Sequence, residues 1–189
     1  GWKHHYDEGI VMGLAGIGNT DTYIDIMRDI VISEDGQEYQ INKDYITFHK
    51  ERDTWVSDKF ISHFGERRLA GSEIESRHAD IASALQLRLE EVVLEKLTNL
   101  KRQKPLLSNL CLAGGVFMNC SLNGRIVDSG LFENIYVCPA SSDNGNAIGA
   151  SYLSSQKKNP VSNMFLGSRF SDEYISNFCK DNNFHLSDD

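Results

Sequence analysis

Asn109 to Ala113 is an apolar run of strand length that stops at Gly114-Gly115. VFMNCSLNGRIVDSG then resumes with helical spacing and ends at Gly130. Asn134 to Cys138 is a second strand-length run, closed by Pro139, and the loop from Ala140 to Gly145 leads into AIGASYLSS. Strand, helix, strand, helix with such short links leaves few architectures. The natural solution is a pair of parallel strands joined by a crossover helix, with helices covering the sheet. This segment fixes the fold class as α/β. In an open parallel sheet, ligands bind beyond the carboxyl ends of the strands. Both loops, Gly114-Gly115 and Ser141 to Gly145, fall at that edge.

The rest of the chain reads around this unit. Apolar residues at Ile81, Ala82, Leu85, Leu89, Val92, Val93 and Leu97 make one stripe of a helix from about Glu73 to Leu100. Ser72 is the expected cap, and Pro105 lies just past its end. RDIVIS-EDG-QEYQIN has the pattern of a hairpin turning at Asp35-Gly36. Asp21 to Met27 reads as a short helix capped by Thr20 or Asp21. Glycines at 9, 13, 16 and 18 allow close approach to another backbone or to a ligand. Residues 43–72 show no sustained period and read as irregular or as short helices on the surface. Residues 1–160 are expected to form one subdomain. Residues 161–189 are expected to form a surface extension with a short helix from Asp172 to Cys179.

Charge narrows the ligand classes. With 27 acidic and 19 basic residues the formal net charge is -8, which argues against a nucleic-acid footprint. An anionic small ligand stays possible, because backbone amides at a helix start bind phosphate without a basic surface. No apolar run reaches the length of a membrane span. GWKHHYDEG is not a signal peptide and reads as the start of a cloned fragment or processed chain. Cys111, Cys120, Cys138 and Cys179 show no paired spacing and are expected to be buried reduced thiols of a cytoplasmic protein.

Side chains at 114 and 115 would block a phosphate from the backbone amides, and a helix start adds a favourable partial positive charge. Asn119, one turn further on, offers an amide to a phosphate or sugar oxygen. In the second loop, Asp143 stands among small polar residues, and its carboxylate suits a divalent cation. By spacing alone, two plain readings stand beside these. A Gly-Gly pair is also a tight turn, and an Asp before a helix is also an N-cap. His78 and Arg77 read as packing or surface groups, and His4-His5 as a frayed terminus. HxxxH, HExxH, GxSxG and the Walker loop are all absent from the chain.

LCLAGGVFMNCSLNGRI and FENIYVCPASSDNGNAIGAS resemble the carbamoyltransferase family that includes nodulation protein U and the antibiotic O-carbamoyltransferases. VMGLAGIGN (11–19), RHADIASALQ (77–86) and MFLGSRFSDEYI (164–175) are similar to further segments of that family, in the same order. Ile10 stands where relatives often carry lysine, and Ile17-Gly18 where they carry YG. The resemblance implies an actin/Hsp70-like, ribonuclease H-like half-domain with a mixed sheet. It would be the second half of a domain similar to the tRNA threonylcarbamoyl-transferring protein. It implies that Gly114, Gly115, Val116 and Asn119 contact the phosphates of ATP or carbamoyl adenylate, with Asn144, Gly145 and Gly13 beside the nucleotide. It implies that Asp143 binds a divalent metal, Fe²⁺ or else Mg²⁺, with two histidines outside this chain. Carbamoyl phosphate, ATP and a small hydroxyl acceptor are the implied substrates. The other half of the cleft and a YrdC-like domain are the implied covalent partners. A sugar kinase or ATPase of the same fold is one rival reading, and a non-catalytic binding module is another.

Overall fold

The structure, a computed structural model, describes every residue except 1, 4, 35–37, 156–163, 165–166 and 185–189. The turn at Asp35-Gly36, His4 and the 160/161 boundary therefore lie outside the described residues. Two compact units are present, Gly1–Gly149 and Ala150–Asp189. The elements in order are α1 (Glu8–Ala15), α2 (Ile24–Ile30), β1 (Val31–Glu34), β2 (Glu38–Ile41), α3 (Asp58–Phe64), α4 (Ser76–Gln103), β3 (Asn109–Leu112), α5 (Cys120–Asp128), β4 (Asn134–Val137), α6 (Gly145–Ser154) and α7 (Asp172–Asp181). Short 3-10 turns precede α2 at Thr20–Thr22 and α5 at Gly115–Met118. No described helix is long and apolar enough to cross a membrane.

The 28-residue α4 organises the larger unit. Its first half contributes Ala84, Ile81 and Leu87 to a core with Ile24, Met27, Ile30, Tyr45 and Phe64. Its second half contributes Leu97, Leu89, Val93 and Leu94 to a second core with Leu112, Leu122, Ile126 and Phe132. The expected stripe is right in period but misplaced at Leu85, which is exposed. Residues 43–72 are not all surface. Tyr45 and Phe64 are buried in the first core, and the Phe60 and Phe64 rings lie 4.3 Å apart.

The hairpin forms as expected, with Val31 opposite Ile41 and Glu34 opposite Glu38. The βαβ unit also forms. β3 and β4 pair in parallel, from Asn109 opposite Asn134 to Leu112 opposite Val137. The one mixed sheet expected is instead two separate two-stranded sheets among the described residues. Two-stranded sheets are marginal alone, and α4 supports both. Its Arg88 Nε donates to Val31 O at 2.8 Å, while its Leu97 packs in the core that holds Leu112.

Local chemistry moves two helix starts. Ser72 does not cap α4, because its hydroxyl donates to Leu69 O at 2.8 Å. Glu75 is the cap, in a reciprocal box in which Glu75 N donates to His78 Nδ1 at 2.9 Å. Asn19, not Thr20 or Asp21, caps the turn before α2, its side chain accepting from Asp21 N at 3.2 Å. Asn19 N in turn donates to Asp80 Oδ1 of α4 at 2.7 Å. The cysteines are free, but none is buried: Cys111 and Cys120 are exposed, Cys138 and Cys179 partly so. In the second unit, Ser171 caps α7 by accepting from Tyr174 N, and the helix runs to Asp181 rather than to Cys179.

The α4 cap predicts an acid-sensitive fold. His78 is buried, its ring meets Trp2 edge-on at 6.1 Å, and its Nε2 has no protein partner among the described residues. Burial holds its pKa below the ordinary 6.5, and the nearby Arg77 and Arg68 add to the depression against the opposing pull of Glu75. The folded state thus favours the neutral ring. Stability is full above about pH 6.5 and falls as the unfolded chain takes up the proton that the folded ring resists. Urea midpoints at pH 7 and pH 5 are expected to separate more in the wild type than in His78→Asn, which keeps an acceptor for Glu75 N. Equal pH dependence in the two proteins would remove His78 as the cause.

Candidate ligand site at the sheet edge

The parallel register brings the two loops out side by side. Cys138 N donates to Leu112 O at 2.9 Å, and Gly114 N donates to Ser141 O at 2.6 Å. The glycine turn and the Asp143 loop are thereby tied at their bases. Gly114 has φ +106° and ψ 155°, a conformation that side-chain-bearing residues rarely adopt, so the glycine there is conformationally required. At the far end of the second loop Gly145 begins α6. A Cβ at Gly145 would come within 2.3 Å of the Ala140 carbonyl oxygen. Gly115 faces Ser142 Oγ, which would lie 3.6 Å from a Cβ there.

The helix start expected at the glycine pair lies elsewhere. Residues Gly115–Met118 form a 3-10 turn, and α5 begins only at Cys120. Asn119 is therefore its N-cap rather than a residue one turn inside it. Its Oδ1 accepts from Leu122 N at 2.9 Å. Asparagine at an N-cap satisfies an amide that the helix itself leaves open, and this sets the boundary. The carboxamide also meets α4: Asn119 Nδ2 donates to Gln86 Oε1 at 2.8 Å.

Asp143 and Asn144 are exposed, as is Val116 across the edge. The Asp143 carboxylate takes no hydrogen bond or ion pair from the described residues. Its backbone carbonyl instead accepts from Asn146 N at 3.0 Å. The carboxylate is left free for a ligand, and as a hard oxygen donor it fits a divalent cation. Among the described residues, no three His, Cys, Asp or Glu side chains gather into a metal-binding group. A metal at Asp143 would need its other ligands from outside the described residues. Gly13 lies in α1, where a Cβ would meet nothing within 4 Å.

Sequence reasoning missed Gln86 and Glu90. They lie on α4 four residues apart, half-buried and buried, and both reach toward α5. Two polar residues at i and i+4 on a helix face otherwise committed to packing were the available signal. A groove of about 830 Å³ lies apart from the loops, lined by residues including Arg28, Ser33, Arg88, Glu91 and Glu95. Its charges answer one another. Glu91 takes Arg88 Nη1 at 2.8 Å and Arg28 Nη2 at 2.5 Å, and the Arg28 hydrogen bond holds the Glu91 carboxyl below its usual range.

The fold and edge define an α/β domain with a glycine turn and a free carboxylate at the carboxyl ends of parallel strands. Residues 1–152 match the family described as carbamoyltransferase N-terminus. The chain belongs to that family. It is 36% identical over 193 residues to an uncharacterized protein of Synechocystis, a match covering 95% of this chain and 31% of the relative. It is 35% identical to nodulation protein NolO of Bradyrhizobium diazoefficiens, over 80% of this chain and 26% of the relative. It is 33% identical to nodulation protein NolNO of Sinorhizobium fredii, over 80% and 21%. The chain thus spans about a third or less of the length of these relatives.

Proposed function

We propose that this chain is part of an O-carbamoyltransferase and supplies one wall of its nucleotide site. The carrying observation is the 2.6 Å bond from Gly114 N to Ser141 O, which joins the glycine turn to the Asp143 loop at one sheet edge. Membership of the carbamoyltransferase family supports reading that edge as part of the family's site. The domain would be one half of an actin/Hsp70-like pair, with ATP in the cleft between the halves.

In this reading the Gly114-Gly115 turn admits phosphate oxygens close to the backbone. Val116, Asn119, Asn144 and Gly145 border the nucleotide. Gly13, in α1, is read as bordering it too. The donor is carbamoyl phosphate, activated with ATP as carbamoyl adenylate. The acceptor is the hydroxyl of a sugar or secondary metabolite. Its oxygen attacks the carbamoyl carbon, the bond from that carbon to the AMP phosphate oxygen breaks, AMP leaves with the electron pair, and the hydroxyl proton passes to solvent. Asp143 would hold a divalent metal together with histidines from elsewhere in the protein. Such a cation, when bound, supplies Lewis acidity and a fixed template for phosphate oxygens.

The test is turnover of ATP and carbamoyl phosphate by the full-length protein with Mg²⁺ and Fe²⁺. Pyrophosphate release that requires carbamoyl phosphate is expected. Release of ADP instead would assign the edge to a kinase or ATPase. Turnover of neither substrate would leave a packing turn.

A further inference from the structure

One directional polar network joins α4 to the cap of α5. Leu122 N donates to Asn119 Oδ1 at 2.9 Å, and Asn119 Nδ2 donates to Gln86 Oε1 at 2.8 Å. Gln86 Nε2 donates to Glu90 Oε1 at 2.7 Å and to Asn119 Oδ1 at 3.2 Å. Arg125 Nε, on α5, lies 3.4 Å from Glu90 Oε2 and closes the circuit.

The two ends of this chain of bonds are chemically one-way. A backbone N–H only donates, and an ionised carboxylate only accepts. Leu122 N therefore fixes which end of the Asn119 carboxamide faces it. Glu90 fixes the Gln86 carboxamide in the same way. Each amide then has one orientation, and the usual freedom to flip is removed. A count of donors leaves one over. Both Gln86 N–H groups are engaged, one Asn119 N–H is engaged, and the second Asn119 N–H has no partner among the described residues. Asn119 is only half-buried, and it closes the turn that begins at Gly114.

We propose that Gln86 is a positioning residue for the nucleotide site: it locks the Asn119 carboxamide so that the remaining N–H is offered to an oxygen of the nucleotide held on the glycine turn. This rests on the nucleotide reading of the Gly114 turn and adds the element that orients its one side-chain donor. Buried Glu90 and the more exposed Arg125 act behind it as the anchor of the lock. None of the three need touch the ligand.

The experiment is calorimetric ATP binding by the full-length protein, with melting temperatures alongside. Gln86→Met keeps the volume and removes the polar lock. Gln86→Glu keeps an acceptor for Asn119 but sets it against Glu90. Each is expected to raise the Kd for ATP about tenfold, about 1.4 kcal/mol, while Tm moves by only a few degrees. The double variant Gln86→Glu, Glu90→Gln reverses the polarity of one bond and leaves the net charge unchanged. The new carboxylate accepts from Asn119 Nδ2, and the new carboxamide at position 90 donates to it. It is expected to recover most of the affinity. A purely structural contact would shift Tm and leave Kd alone, and that result overturns the proposal. So does a double variant as weak as the singles, or single variants that cannot fold. No ATP binding by the wild type would overturn the nucleotide reading and this inference together, whereas wild-type binding that ignores Gln86 overturns this inference alone.

Discussion

Leu122→Ala is expected to cost about 3 kcal/mol of folding stability and to lower Tm by roughly 6–12 °C for a chain of this size. Leu122 and Ile126, one turn apart on α5, are both 0% exposed. They meet Leu112 of β3, Leu97 of α4 and Phe132 in one core. Truncation removes three carbons from a site walled by a sheet on one side and a long helix on another. Such walls relax little, so a cavity remains and its cost adds to the lost transfer energy. Against a total of about 5–15 kcal/mol for a typical domain, this is a large fraction. Val127→Ala, on the exposed face of the same helix, is the control and should stay within about 0.5 kcal/mol of wild type. The loss should also reach the ligand edge, since α5 opens at Asn119. Chemical denaturation of the two variants decides the matter. A Leu122→Ala protein as stable as Val127→Ala would mean that α5 is not seated on β3.

The elements legible in the sequence are those whose signal is periodic. The α4 stripe, the hairpin and the strand–helix–strand run between Asn109 and Val137 each repeat a pattern over enough residues to outweigh local preferences. Boundaries depended on single side chains and were read less well. Nothing in ESRH announces that His78, not a Glu or Gln, completes the capping box with Glu75. Nothing in GGVFMNC shows that the helix waits for Asn119. That outcome depends on Gly114 taking a positive φ and on Gln86, thirty-three residues earlier, holding the cap in place. Long-range polar pairings of this kind leave no local trace. The expectation of a single sheet failed for a related reason. Strand patterns specify pairing partners, but which sheet a hairpin joins is decided by the helix beneath it, and α4 is long enough to carry two. At the candidate site the sequence placed both loops beyond the ends of two parallel strands, and β3 and β4 do pair in parallel. It did not show that Gly114 N reaches Ser141 O.

Asp143→Ala is expected to lower metal affinity on the order of hundredfold or more, while leaving the Tm of the metal-free protein within about a degree or two. The magnitude follows from comparison: loss of groups that only orient a ligand costs about 10–100-fold, and loss of a ligand itself should reach at least the top of that range. The small stability effect follows from the geometry. The carboxylate is exposed and bonded to nothing in the described structure, and the turn into α6 is held by backbone bonds, Gly145 N to Ser142 O and Asn146 N to Asp143 O, each 3.0 Å. An exposed, unpaired carboxylate contributes little to folding. Metal content of the full-length protein, its Tm and its ATP affinity should be measured for wild type, Asp143→Ala and Asp143→Asn. The asparagine variant keeps an oxygen donor but loses the charge, and should fall between the other two in metal content. Metal retention equal to wild type in both variants would refute the ligand role. A Tm for Asp143→Ala that lies well below wild type when both are stripped of metal would show instead that the side chain secures the start of α6, which the exposed, unpaired carboxylate argues against.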